Sequence, residues 1–153
     1  FWGGGYFKGF EVKKILLLLI GLMPLTAHCE VTSENLCFQL DQDSPVKFEL
    51  RTYYDASNKW QGGFVKYASS GVPISLVLTD DQAEEVSPDR PWLTTQTWSE
   101  VLDGKVTGEY EMVSQGGMIV SMNYTKKSNG KEYGFLFNPA IDSSPENGCQ
   151  WEQ

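Results

Sequence analysis

Carboxylates are the side chains best placed to do chemistry in this sequence, and four of them lie close along one predicted hairpin. They are Glu100, Asp103, Glu109 and Glu111. Glu109 and Glu111 are two residues apart, so on a strand they share one face. Paired carboxylates at a suitable separation can hydrolyse glycosidic bonds. Because such a pair is more often a solvated outer face, a carboxylate-based glycosidase is only the third hypothesis for function.

Other reactive groups are scarce. The single histidine, His28, lies at or before a predicted cleavage site, so the mature chain would have no imidazole to activate a nucleophile or bind a metal. The glycine pairs Gly62-Gly63 and Gly116-Gly117 fall within predicted hairpins, not before a helix, which excludes a phosphate-binding loop. The sequence therefore predicts a protein that is not an enzyme and needs no cofactor.

A second group of candidate residues occupies the segment from 80 to 95. The candidate partner-binding residues in it are Asp80, Asp81, Glu84, Glu85, Arg90 and Trp92. The acidic half predicts one or two helical turns capped by Thr79 or Asp80, and Pro88 and Pro91 predict an irregular loop after it. The acids lack the spacing of a calcium loop, so no metal is expected.

This acidic segment predicts a partner-binding surface. Its carboxylates would steer a cationic protein toward it, and Trp92 would anchor the interface. The alternative is a solvated connection with no binding role.

The first 29 residues predict an export signal. Residues 1–11 show no periodic pattern and are interpreted as upstream read-through or an extension. Residues 12–29 combine Lys13-Lys14, an apolar run over 15–23 and small residues after Pro24, which is the order of a secretory signal peptide. Cleavage is expected after Ala27 or after Cys29. We therefore expect a periplasmic or secreted protein whose contact with the membrane is limited to export.

Export of the chain would determine how many of the three cysteines remain and whether they form a disulfide. If Cys29 leaves with the signal, Cys37 and Cys149 remain, and an even count in an exported chain predicts a disulfide. This bond would tie the first strand to the C-terminal tail.

The mature chain, residues 30–153, has the length of one domain. Removing residues 1–29 takes away three lysines and one glutamate, which moves the net charge from −8 to about −10. This charge disfavours nucleic acid, whose phosphates require lysine and arginine, and favours cationic partners.

Alternation with a period of two predicts an all-β fold. Val46, Phe48 and Leu50 share one strand face, while Lys47 and Glu49 share the other. Residues 59–79 match residues 105–125 without a gap, which predicts a hairpin used twice. Asp103-Gly104 and Asn129-Gly130 are strong turn signals. About eight antiparallel strands are expected, as an up-and-down barrel or a strongly curved sandwich.

In general build this domain resembles small exported barrels such as the bacterial lysozyme inhibitors and the lipocalin-like proteins. Residues 70–74 lack the tyrosine that the inhibitors' Ser-Gly-x-x-Tyr motif requires, so the resemblance is one of architecture. The acidic segment and the negative net charge make an acidic inhibitor or immunity-type protein for a cationic secreted hydrolase such as a lysozyme the first hypothesis. The alternative is a carrier of a small apolar ligand held inside the barrel among Met118, Met122, Tyr124 and Phe135.

Overall fold

Alternating apolar and polar residues produce eight antiparallel strands that close into a barrel. The computed structural model describes residues 30–151. The strands are β1 (Val31–Gln39), β2 (Lys47–Asp55), β3 (Trp60–Tyr67), β4 (Pro73–Glu84), β5 (Leu93–Leu102), β6 (Lys105–Gln115), β7 (Met118–Lys126) and β8 (Glu132–Phe137). Each strand pairs with the next, and β8 pairs with β1. The predicted all-β class is confirmed, and the barrel is the form adopted.

The barrel interior is packed with large apolar side chains. Phe48 lies at its centre, where its ring is 4.8 Å from Phe135, 5.3 Å from Phe38 and 5.5 Å from Tyr110, centroid to centroid. The buried core comprises Leu36, Phe38, Phe48, Leu50, Val65, Leu76, Trp98, Tyr110, Met112, Met122 and Phe135. Burial of these side chains is the main source of stability for the fold.

Strand order gives the barrel two distinct ends. The connections β1–β2, β3–β4, β5–β6 and β7–β8 lie at one end, which we call the cavity end. The connections β2–β3, β4–β5 and β6–β7 lie at the other, which we call the ribbon end because β4 and β5 form a long hairpin there. Side chains near opposite ends of the same strand therefore belong to different surfaces.

Both copies of the matched sequence form antiparallel hairpins, β3–β4 and β6–β7. The second hairpin turns through Gly116-Gly117, both of which have positive φ (58° and 80°), as the type I′ two-residue hairpin turn requires. The first turn is longer and lies at the opposite end of the barrel. The predicted turns at Asp103-Gly104 and Asn129-Gly130 also connect consecutive strands as expected.

The predicted helical turn after Thr79 is wrong. β4 continues to Glu84, and its residues from Asp80 to Glu84 pair with β5 from Thr97 back to Leu93. A register shift beside Thr79 lets the strand continue past the barrel wall. The threonine-rich partner strand supplies a ladder of backbone hydrogen bonds, and this tertiary pairing overrides the weak local preference for helix.

The C-terminal tail is more ordered than the sequence predicts. Two short strands, β9 (Ser143–Ser144) and β10 (Gly148–Cys149), pair with each other. The predicted disulfide is confirmed: Cys37 on β1 is bonded to Cys149, 112 residues away in sequence. The tail is thereby held against the outer face of β1 and β2. The predicted signal at 12–29, with His28 and Cys29, and the segment 1–11 lie outside the described residues.

Candidate functional site

A buried carboxylate, Glu100, lies at the cavity end of the barrel. Its side chain points inward because Glu100 follows Trp98 by two residues on β5, and Trp98 is in the core. Glu100 is only 6% exposed. A register shift in the β5–β6 pairing follows directly after it. The carboxylate therefore sits inside the barrel wall, whereas Glu109 and Glu111 are exposed.

Three hydroxyl groups donate hydrogen bonds to this carboxylate. Thr107 Oγ1 donates to Oε1 at 2.7 Å, the Tyr124 hydroxyl donates to Oε1 at 3.1 Å, and the Tyr110 hydroxyl donates to Oε2 at 3.1 Å. The Tyr67 hydroxyl lies 2.8 Å from that of Tyr110. Because the proton of Tyr110 is directed to Glu100, Tyr67 is the donor in that pair. The hydroxyls thus form a chain whose protons all point toward Glu100.

The tyrosine hydroxyls remain protonated in this environment. Burial raises the pKa of Tyr67, Tyr110 and Tyr124 above the ordinary value of 10.0, and the nearby charge of Glu100 adds to the increase. Desolvation disfavours the phenolate, and so does a neighbouring carboxylate. These side chains therefore act as neutral hydrogen-bond donors at physiological pH, and none is prepared to act as a base.

Gly108 keeps the Tyr124 ring beside Glu100. A Cβ atom at position 108 would overlap the hydroxyl end of the Tyr124 ring. Glycine at this position therefore permits the close approach of β6 and the ring on β7. The same relation holds at Gly62, where the ring of Trp60 occupies the corresponding space.

A cavity of about 410 Å³ opens above this carboxylate. Its walls are mainly apolar and aromatic, and its rim carries the exposed cation Lys126. The lining residues are Val46, Tyr67, Ile74, Glu100, Tyr124, Lys126, Tyr133 and Phe135. The aromatic core closes it below, so the cavity is a bowl at one end of the barrel.

The residues predicted to line an internal ligand site agree with this cavity only in part. Tyr124 and Phe135 line it. Met122 instead lies in the packed core, at 1% exposure, and Met118 is 71% exposed at the ribbon end. Met118 was misplaced because it starts β7, beside the Gly116-Gly117 turn, beyond the part of the strand that covers the core.

The acidic segment lies at the opposite end. Asp80, Asp81, Glu84, Glu85, Arg90 and Trp92 are all exposed in the β4–β5 hairpin and its connection. Trp92 is 56% exposed. Asp80 and Glu111 both pair with Thr97, from β4 and from β6, so the three residues lie in one cross-strand row. The structure thus places the six predicted residues in the hairpin and connection at the ribbon end, which we call the acidic ribbon, and separates them from Glu100.

A second buried carboxylate, Glu49, faces outward from β2 and is covered by the C-terminal tail. Glu49 is fully buried. It pairs with Arg51 at 2.7 Å and with Lys66 at 3.5 Å, and it accepts a hydrogen bond from the backbone N–H of Cys149 at 2.9 Å. The Glu49 carboxylate thus has two cationic partners, and its hydrogen bond to Cys149 joins the tail to the barrel wall.

Sequence reasoning grouped Glu100 with the exposed carboxylates of the hairpin and so missed its position. The sequence does contain a pattern that predicts the inward position of Glu100. Glu100 shares a strand face with Trp98, and the alternation along β6 and β7 turns Tyr110 and Tyr124 inward as well. The contact of Tyr67 on β3 with Tyr110 could not be predicted from the sequence, because it depends on how the barrel closes.

Comparisons with protein-family models, with curated proteins and with solved structures found no match. Residues 30–151 contain no helix that is long and apolar enough to cross a bilayer. Within the same stretch, no group of three histidine, cysteine, aspartate or glutamate side chains is arranged to hold a metal ion.

Proposed function

We propose that this protein is an exported, non-enzymatic binding protein that takes a small, largely apolar ligand into the cavity end of its barrel. The observation that carries this proposal is the 410 Å³ cavity with aromatic walls and a few convergent polar groups. Ligand sites in proteins are concave, mostly apolar and roughly 300–1,000 Å³ in volume. The disulfide between Cys37 and Cys149 supports an oxidising compartment, periplasmic or extracellular.

The arrangement of carboxylates favours binding over glycoside hydrolysis. A glycosidase needs two carboxyl groups facing the same bond, about 5–9.5 Å apart. Glu100 is the carboxylate among the cavity's lining residues, and Glu109 and Glu111 are exposed on the outer side of β6. The wall of the barrel therefore separates Glu100 from Glu109 and Glu111, and Asp103 lies in the β5–β6 turn and is not among the residues that line the cavity.

Partly filling the cavity should weaken ligand binding. Ile74 lines the cavity and is partly buried, so Ile74→Trp would occupy part of its volume. We expect the affinity for N-phenyl-1-naphthylamine, a neutral apolar fluorophore, to fall at least about tenfold, measured by fluorescence titration. Val77→Trp is the matched control, because Val77 is 52% exposed three residues further along the same strand. Binding that is equal in both variants, or absent in the unmodified protein, would contradict the proposal.

A second candidate function is supported by the acidic ribbon. Four exposed carboxylates and an exposed tryptophan meet at one end of the molecule. We propose that this surface binds a cationic protein, as an inhibitor or immunity-type protein for a secreted hydrolase such as a lysozyme would. The carboxylates would accelerate the encounter, and Trp92 would supply the apolar anchor. The acidic surface also disfavours nucleic acid as a partner.

Neutralising the ribbon should slow association with a cationic partner. In Asp80→Asn/Glu84→Gln, the association rate constant with a cationic lysozyme is expected to fall about tenfold at low salt, because electrostatic steering acts mainly on the association rate. Its dependence on ionic strength should become flatter. Glu132→Gln/Glu146→Gln is the charge-matched control, since both residues are exposed away from the ribbon. Equal rates in the two variants, measured by surface plasmon resonance, would defeat this candidate.

A further inference from the structure

We propose that the cavity selects ligands that carry a protonated primary amine on an apolar body, with the ammonium group bound between Glu100 and the hydroxyl oxygens of Tyr67 and Tyr124. This inference rests on the proposed ligand-binding function and specifies its chemistry.

The direction of the hydroxyl protons leaves only acceptors at Glu100, Tyr67 and Tyr124, where the ammonium group would bind. The single protons of Tyr124 and Tyr110 are used on Glu100, and that of Tyr67 is used on Tyr110. Each tyrosine oxygen keeps a lone pair, and Glu100 Oε2 has one hydrogen bond where a carboxylate oxygen can accept two. A ligand must therefore bring hydrogen-bond donors. An ammonium group brings three, whereas a carboxylate or ketone brings none.

The charge of Glu100 is not balanced by a cation. In the described chain, salt bridges are formed by Glu49, which has Arg51 and Lys66 as partners, while Glu100 has only neutral hydroxyl donors. Buried carboxylates are rare in proteins unless they are paired. The two sites differ in access, because the tail covers Glu49 whereas the cavity opens onto Glu100. A cationic ligand would supply the missing partner.

The cavity walls suit the body of such a ligand. The rings of Tyr124, Tyr133 and Phe135 line the cavity, and aromatic faces attract a cation as well as apolar carbon. Lys126 lines the cavity but is exposed, and the ammonium group of Lys131, which is not a lining residue, lies 4.9 Å from the centroid of the Tyr133 ring. Water screens these exposed charges more than that of Glu100. In the bound state the ammonium group therefore lies at Glu100, and the apolar body lies against the aromatic walls.

Three ligands with one body and different head groups test this inference. 4-Phenylbutylamine, 4-phenylbutan-1-ol and 4-phenylbutanoate would compete for the cavity against N-phenyl-1-naphthylamine, with calorimetry as a direct measurement. We expect the amine to bind about tenfold more tightly than the alcohol, and the carboxylate to bind most weakly. If the alcohol or carboxylate matches the amine while the fluorophore still binds, the inference is wrong and the proposed function stands. If neither fluorophore nor ligands bind, both are wrong.

Substitutions test whether Glu100 is responsible for the preference for the amine. Glu100→Gln should remove the preference for the amine, whereas Glu109→Gln, which removes an exposed charge of the same hairpin, should leave it intact. If Glu100→Gln does not fold, Tyr67→Phe removes one acceptor and leaves the three hydrogen bonds to the Glu100 carboxylate in place. It should weaken binding of the amine about threefold more than binding of the alcohol. A preference for the amine that survives in the folded Glu100→Gln protein, or at full strength in Tyr67→Phe, would overturn the assignment.

Discussion

Reducing the bond between Cys37 and Cys149 should lower the free energy of unfolding by about 2–5 kcal/mol. The two residues are 112 positions apart, so the bond closes almost the entire described chain into one loop. In the chain-entropy description, a loop of this length strongly restricts the unfolded ensemble. The bond also holds the tail over Glu49, and this second effect should add to the loss.

Urea denaturation with and without dithiothreitol measures this effect. Cys37→Ala/Cys149→Ala should show the lower stability in both conditions, because it has no bond to reduce. Unchanged stability of the unmodified protein on full reduction, verified by thiol titration, would show that the loop contributes nothing.

Glu49→Gln should cost about 3 kcal/mol of folding free energy, because it removes the counter-charge from a buried ion pair. Glu49 is fully buried between Arg51 and Lys66, whose side chains are 12% and 31% exposed. An amide cannot balance their charges, and its NH2 group would face a donor in either orientation, the guanidinium of Arg51 or the backbone N–H of Cys149. Partial exposure of both cations lets water recover some of the loss, which places the estimate at the low end for such pairs.

Glu34→Gln is the matched control, because Glu34 is exposed on the neighbouring strand β1. Its stability should remain within about 0.5 kcal/mol of the unmodified protein in urea denaturation. An equal loss in both variants would mean that general charge, not the buried pair, is responsible. Combining Glu49→Gln with the loss of the disulfide should cost less than the sum of the two, since both act on the contact of Cys149 with β2.

The features that depend on neighbours in sequence could be predicted from the sequence. Alternation along 46–50 placed Phe48 and Leu50 inside, and Asp103-Gly104 marked a turn that the structure contains. The disulfide followed from the parity of the cysteines and an exported chain, although export itself stays a prediction. The acidic surface was also visible in the sequence, but its role in partner binding is untested.

The features that depend on closure could not be predicted. Glu49 was correctly assigned to the outer face of β2, yet it is buried because a tail about 100 residues later covers it. Glu100 acquires its environment from β3, β6 and β7, and Tyr67 reaches Tyr110 across the barrel. Between 80 and 84, the composition favoured a local helix, and only pairing with β5 decided for a strand.

The pairing of β1 with β8, which closes the barrel, involves fewer residue pairs than any other pairing of neighbouring barrel strands. Two residue pairs, Phe38 with Phe137 and Gln39 with Leu136, join β1 to β8, and the N–H of Asn138 donates to the carbonyl of Cys37 beside them. Backbone fluctuations that separate two strands cost least where few ladder bonds must break. Hydrogen exchange of amides along this seam should therefore proceed by local opening. The disulfide joins Cys37 on β1 to Cys149 in the tail that follows β8. It therefore limits how far β1 and β8 can separate during each local opening.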